Sequence, residues 1–409
     1  MKYFIENIKF KKNEDLNELI LKGKNLIISG NNGSGKTKLL ERIHAFILTS
    51  VSSHNPHTSN QIKIDINNSK EQLRFTQRGS GNYDFLNSEI KKLEESLIEF
   101  DNFDIIYNDL TEFRVSIKER NSIVRFFPAF REARIVNDGK ISSLKSLLEE
   151  YEKAQKNNNK VEAGMFFERY IVSLWNYALV NRGVGNDIDS ERVFSTIKSI
   201  NNDLKSLFED ETIKMDFNID ELKIYLLQDG KEPFGLNQLS SGFSSILSIY
   251  TDLLIKAELD KIRKDDMTGI VLIDEIDAHL HVTLQKKVFS FFSSSFPNMQ
   301  FIITTHSPFV IQSVSNAIIF NLSTLEQMED LSLYSYTSII KGLLGEDVSS
   351  EKLLDMMKEL MNLTDNGDFN NRFSELMEML SKNIDSLDNS SKSALMIAKS
   401  KFLDFSEEE

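Results

Sequence analysis

An α/β fold, a mixed sheet with flanking helices, is predicted by three segments of this sequence, and alternating segments elsewhere predict an antiparallel β-lobe. In the first, the β-branched run NLIIS leads into GNNGSGKT and then into an apolar helical pattern, KLLERIHAFIL. In the second, TGIVLIDEIDAHLH opens with a continuous apolar run, Ile270 to Ile273, of the kind buried on both faces of a parallel sheet. The third, MQFIITT, is another short apolar strand, closed by His306-Ser307-Pro308. A helical insertion and a helical C-terminal region complete the expected architecture.

The loop Gly30-Asn31-Asn32-Gly33-Ser34-Gly35-Lys36-Thr37 has the spacing G-x-x-x-x-G-K-[ST] in a strand-loop-helix setting. Its glycines let successive backbone N–H groups turn toward phosphate oxygens, and the helix that follows aims its positive end at the same place. This predicts a nucleotide site for ATP and Mg²⁺, with Lys36 on the β and γ phosphates and the Thr37 hydroxyl on the metal. Leu39, Leu40, Ile43 and Ile47 form the apolar stripe of the helix, with His44 as their neighbour.

The second segment ends in two acids. Asp274, at the strand's C-terminal end, fits a carboxylate that holds the Mg²⁺ shell, and Glu275 fits a general base that orients the attacking water. Pro308 is placed at the first turn of the helix PFVIQSV. His306, at the tip of the preceding strand, can contact a γ-phosphate or serve as a structural histidine.

Residues 239–247, LSSGFSSIL, carry no obvious nucleophile, acid or metal ligand. They predict a helix N-terminus at which Ser240, Ser241 and Gly242 offer hydroxyls and backbone N–H donors to phosphate oxygens, with ILSIYTDLLI as the buried helix behind.

The order of these pieces resembles that of the ABC-type ATPases, across residues 1–320. In that family LSSGF corresponds to the signature motif, which caps the γ-phosphate held by the P-loop of a second head, so the resemblance implies a head-to-tail dimer around ATP. The family more often shows Leu-Ser-Gly-Gly, from which Ser241 and Phe243 depart. Asp277 resembles the D-loop at the same dimer interface, with His279 and His281 as further interface residues. The family's Q-loop glutamine has no clear counterpart. VRFFPAFREAR, a strand then a loop bearing Arg131 and Arg134, occupies a comparable stage, and either arginine faces phosphate, a partner, or a solvated ion pair.

Between the P-loop helix and the signature lie about two hundred residues, a length similar to the interrupted heads of the RecF, SMC and OLD-like group rather than a transporter subunit. NSEIKKLEESLIEF, ISSLKSLLEEYEKAQK and SERVFSTIKSINNDLKSLFED show helical spacing, whereas NQIKIDI, EQLRFTQ and ELKIYLLQ alternate like strands. The polar breaks KNNNK and NRGVGND mark turns. No sustained heptad array predicts a long coiled-coil arm. From about residue 335, Ile339, Leu343, Leu353, Met357, Leu360, Phe373, Leu376, Leu380 and Ile384 recur at helical spacing, either to pack on their own head or to dock a partner.

The expected organisation is residues 1–137 for the N-terminal part of the head, 138–210 for a helical insertion, 211–334 for the rest of the head and 335–409 for the C-terminal region. The LSSGF and DEIDAHLH forms, TTHSPFVIQ, and the tail phrase NGDFNNRFSELMEML resemble the compact ATPases of bacterial antiphage systems of the Septu, retron and PARIS kinds. That resemblance implies an ATPase controlling a nuclease or other effector; since neither a TOPRIM nor an HNH constellation is visible, a nuclease is expected on a separate polypeptide. A RecF-like ATPase acting on DNA is the alternative, served by the basic stretches KFKKN and KIRKDD. A formal charge of −14 argues against a broadly basic surface coating nucleic acid. The absence of cysteine excludes disulfides and thiolate metal sites, and with no signal-like or membrane-spanning run the expected location is the cytoplasm.

Overall fold

A computed structural model describes residues 4–12, 15–52, 59–131, 135, 142–157, 163–314, 316–331, 334–341, 350–384 and 387–408. Its strands are β1 (Ile5–Lys12), β2 (Asp15–Ile20), β3 (Asn25–Ser29), β4 (Phe103–Tyr107), β5 (Ser122–Phe127), β6 (Lys214–Asn218), β7 (Lys223–Leu227), β8 (Phe234–Gly235), β9 (Thr268–Ile273), β10 (Met299–Thr304), β11 (Ala317–Asn321) and β12 (Glu326–Glu329). The helices are α1 (Lys36–Ser52), α2 (Ser59–Phe75), α3 (Gly81–Asn102), α4 (Leu110–Lys118), α5 (Leu144–Asn157), α6 (Phe167–Gly183), α7 (Asp187–Phe208) and α8 (Ser241–Asp260). They continue with α9 (Val282–Gln285), α10 (Val288–Ser295), α11 (Pro308–Gln312), α12 (Tyr336–Ile339), α13 (Glu351–Asn366), α14 (Asn371–Lys382) and α15 (Asn389–Glu408). The chain divides into two compact units, residues 1–339 and 340–409.

The first unit is built on a six-stranded sheet in the order β12-β11-β3-β10-β9-β5. β11, β3, β10, β9 and β5 are mutually parallel, and β12 closes one edge antiparallel to β11. The continuous apolar runs of β3, β10 and β11 are buried at every position, as strands covered on both faces require. On one face, Leu39, Leu40, Ile43 and Ile47 of α1 join Leu26, Ile270, Ile302 and Phe320 in the main core, which also takes in Ile8, Phe10 and Phe103 of the β1-β2-β4 lobe. On the other, Phe289 and Phe292 of α10 pack against Phe301. Because five strands run parallel, the loops after β3, β5, β9 and β10 leave the same edge of the sheet, where ligands of open α/β sheets gather.

The predicted α/β class with an antiparallel lobe is observed, but the lobe is made from other residues. NQIKIDI and EQLRFTQ fall on helix α2 and just beyond its end, not on strands. Ile62, Ile64 and Ile66 alternate, yet Ile62 and Ile66 are buried while Ile64 is 51% exposed. A spacing of four residues wins because α2 folds back on α3 as a hairpin, braced by Lys70 and Glu94 at 2.7 Å. ELKIYLLQ does supply a strand, β7, in a separate small sheet with β6 and β8.

Helices α5, α6 and α7 follow β5, and NRGVGND turns α6 into α7. KNNNK runs past the described residues after Asn157, and Leu343 lies outside them. In the second unit, Met357, Leu360, Phe373, Leu376 and Leu380 pack with Leu387, Leu395 and Ala398 into a core of its own, against which Leu353 and Ile384 lie. Among the described residues no helix is long and apolar enough to cross a membrane.

Candidate functional site

The loop after β3 turns through Gly30, Gly33 and Gly35 at φ of 135°, 77° and 98°, all in the region that side chains disfavour. A Cβ on Gly30 would stand 2.9 Å from Ser323 Oγ, and the same hydroxyl accepts from Asn31 N–H at 2.9 Å. Ser34 Oγ is buried without a hydrogen-bond partner, an orphaned donor in a loop whose amides already suit an anion. The residues present therefore fit a bound phosphate group.

Lys36 opens α1 and is 6% exposed, its ammonium donating to the carbonyls of Gly30 at 2.8 Å and Asn31 at 3.0 Å. Burial lowers its pKa from the ordinary lysine value, and the charges of Glu275, Asp274 and Asp277 partly oppose that shift. Thr37 Oγ1 donates to Asp274 Oδ2 at 2.9 Å, so the predicted Mg²⁺ pair, drawn from the ends of β3 and β9, meets. The other carboxylate oxygen, Oδ1, accepts from Thr304 Oγ1 at the end of β10 at 2.5 Å.

Glu275 follows with φ of 45°, in the left-handed region unusual for a glutamate. Its N–H donates to Thr304 Oγ1 at 2.7 Å. Asp277 accepts from Thr305 Oγ1. His306, half-buried, stands at the tip of β10, and Ser307 caps α11 by accepting from Phe309 N–H and Val310 N–H, with Pro308 at the first turn as predicted.

Ser240 and Ser241 sit exposed at the start of α8. Among the described residues, no hydrogen bond joins either of them to the loop of residues 30–37. Gly242 is buried, and a Cβ there would meet Leu284 Cδ1 at 3.1 Å and the His279 carbonyl oxygen at 3.2 Å. The small residue thus lets α8 lie against the turn after Asp277. Phe243, a departure from the resembled signature, stacks on Phe208 of α7 at 4.3 Å. His279, at φ 64°, and His281 are exposed on the same stretch.

Arg131 is not a solvated ion pair. Its Nη1 donates to the carbonyls of Asp274 at 2.7 Å and Pro128 at 2.8 Å, and its Nη2 donates to that of Glu275 at 2.9 Å. Arg134 lies outside the described residues. His44 is half-buried and stacks on Phe126 at 5.0 Å.

Sequence reasoning missed Lys12, Thr304 and Ser323. Lys12 Nζ donates to Leu322 O at 2.5 Å and to Ser34 O, within the phosphate loop, at 3.3 Å. No local pattern marks a lysine that crosses from another sheet, whereas the hydroxyl pair of TTHS was a readable signal for Thr304. In the basic stretch KIRKDD, Arg263 lies against Asp265 and Asp266, and Lys264 against Asp203 and Asp265.

A family profile described as "AAA domain, putative AbiEii toxin, Type IV TA system" matches residues 26–312. The Septu protein PtuA of Bacillus mycoides is 34% identical over 172 residues, 40% of this chain and 23% of that protein. The "Retron Vc95 probable ATPase" of Vibrio cholerae is 23% identical over 312 residues, 73% of this chain and 54% of that protein. The "Retron Ec83 probable ATPase" of Escherichia coli is 41% identical over 88 residues, 21% of this chain and 16% of that protein. The chain thus spans about half or less of the length of these relatives. Among solved structures, an SMC head bound to the C-winged helix domain of ScpA aligns with 81% of this chain and 100% of its own, at 13% identity and a TM-score of 0.38. The cbiO1 protein of Clostridium perfringens aligns with 84% of this chain and 94% of its own, at 11% identity and a TM-score of 0.35.

Proposed function

The chain belongs to this AAA-domain family, and from that premise we propose that it binds and hydrolyses ATP, dimerises around it, and controls a separate nuclease or other effector in antiphage defence in the cytoplasm. The observation that carries the catalytic part is the meeting of Lys36, Thr37, Asp274 and Glu275 at one edge of the sheet, Thr37 and Asp274 coming from segments 237 positions apart.

In this reading the amides of residues 30–37 and Lys36 grip the β and γ phosphates, and Lys36 exchanges its loop carbonyls for phosphate oxygens. Thr37 and Asp274 would hold Mg²⁺, which neutralises phosphate charge when bound. Glu275 accepts a proton from, and aims, the attacking water, while His306 donates toward the γ-phosphate. The exposed Ser240 and Ser241, unbonded to their own phosphate loop, support a role in capping nucleotide held by a second copy. Names carried by the PtuA and retron relatives support the defence setting.

The test is Glu275→Gln. The variant is expected to retain ATP binding, lose phosphate release, and persist as a dimer in size-exclusion chromatography with ATP. Unaltered turnover together with dimerisation that ignores ATP sinks the proposal. For the cellular part, Lys36→Ala is expected to abolish protection in a plaque assay of the intact defence locus.

A further inference from the structure

The backbone around Glu275 is held at four successive hydrogen-bonding groups, two of them by a single side chain. Its own N–H donates to Thr304 Oγ1 at 2.7 Å, and the next N–H, of Ile276, donates to Thr304 O at 3.1 Å. The carbonyl before Glu275, that of Asp274, and the carbonyl of Glu275 itself both accept from Arg131, at 2.7 Å and 2.9 Å. A non-glycine residue at φ 45° has a right-handed conformation that is intrinsically favoured over it, and swinging either flanking peptide toward it would redirect the side chain.

We propose that Arg131 is a positioning residue for hydrolysis: its guanidinium brackets the two carbonyls flanking Glu275 and thereby holds that carboxylate in its working direction. The inference rests on the reading of Glu275 as the residue that orients water. A planar fork suits this task, because one side chain must present parallel donors to two acceptors about one residue apart. The same guanidinium is anchored from behind by Pro128 O at 2.8 Å and lies 3.5 Å, by Nε, from Ser245 Oγ of α8. The clamp therefore ties the carboxylate turn to the end of β5 and to the helix headed by Ser241. The Arg131 guanidinium meets three backbone carbonyls and one serine hydroxyl, so the carbonyls are its principal partners. Burial lowers its pKa to about 10, with Asp274, Asp277 and Glu275 opposing the shift, so it remains cationic at neutral pH.

The experiment compares the wild type with Arg131→Lys and Arg131→Gln, each of which can serve only part of the fork. Steady-state phosphate release, binding of a fluorescent ATP analogue and thermal unfolding are measured on the full chain. The expected result is a kcat lowered about a hundredfold, the scale of a misplaced general base, with KM and analogue affinity nearly unchanged and Tm lowered by only a few degrees. Full turnover in both variants overturns the inference, and so does a parallel loss of turnover, affinity and Tm in both, which marks a merely structural arginine. Glu275→Gln run alongside separates the two layers. If it turns over like the wild type, or the wild type has no turnover, the ATPase reading falls and this inference with it. If it is inactive while both Arg131 variants keep full turnover, only the role of Arg131 is lost.

Discussion

Thr37 Oγ1 and Asp274 Oδ2 lie 2.9 Å apart although 237 positions separate them in the chain. The pairing follows from sheet order. β3 and β9 flank β10 and run parallel to it, so the helix after β3 and the carboxylate ending β9 arrive at one edge. β10 adds Thr304, whose hydroxyl takes the second oxygen of Asp274 and receives the amide of Glu275. Three strands thereby set one carboxylate, 2% exposed, before any ligand contributes.

Asp274→Asn is expected to keep this arrangement, since hydroxyls can donate or accept, while removing the negative charge that would hold a divalent ion. Phosphate release should fall by about two orders of magnitude or more. Removing Mg²⁺ with EDTA should weaken binding of a fluorescent ATP analogue to the wild type and change it little in the variant. An equal EDTA effect on both proteins would show that Asp274 does not serve the metal.

Gly242→Ala tests the seat of α8. The added methyl meets Leu284 Cδ1 at 3.1 Å, which can move, and the His279 carbonyl at 3.2 Å, which is backbone and yields less readily. Overpacking of this kind costs about 1–3 kcal/mol. Urea unfolding should report that loss for Gly242→Ala, and a change within about 0.5 kcal/mol for Ser241→Ala, whose side chain is exposed. Equal midpoints for the two variants would mean that α8 is not held against the turn after Asp277.

The parts of this site that were readable in sequence are those in which chemistry and local geometry coincide. Residues 30–37 form a loop whose glycines and lysine act within one turn, and Asp274 ends a strand whose burial is written in Ile270 to Ile273. Ile62, Ile64 and Ile66 satisfy period two over so short a span that the pattern points to a strand, and only the hairpin of α2 with α3 selects which of them is buried. Lys12 was invisible for a related reason. Its partners, Ser34 O and Leu322 O, lie 22 and 310 positions away, and backbone carbonyls leave no mark in sequence. Arg131 was noticed as a charge, but its role depends on two carbonyls of a turn whose left-handed residue is not a glycine.

His44 gives the fold an acid sensitivity whose sign can be worked out. It is packed against Phe126, with ring centroids 5.0 Å apart, and its pKa is lowered first by burial and then by the charge of Arg125. The unfolded chain, with an ordinary histidine value of about 6.5, takes up a proton before the folded protein does. The unfolded state therefore binds more protons below that value, and stability falls with pH there until the folded imidazole also protonates. His44→Phe preserves an aromatic ring on Phe126 and removes the titration. Between about pH 7.5 and about pH 5.5 the wild type should lose more Tm than the variant, because only the wild type carries this linkage. Equal losses would place the acid sensitivity of the fold elsewhere and show that His44 is solvated enough to protonate alike in both states.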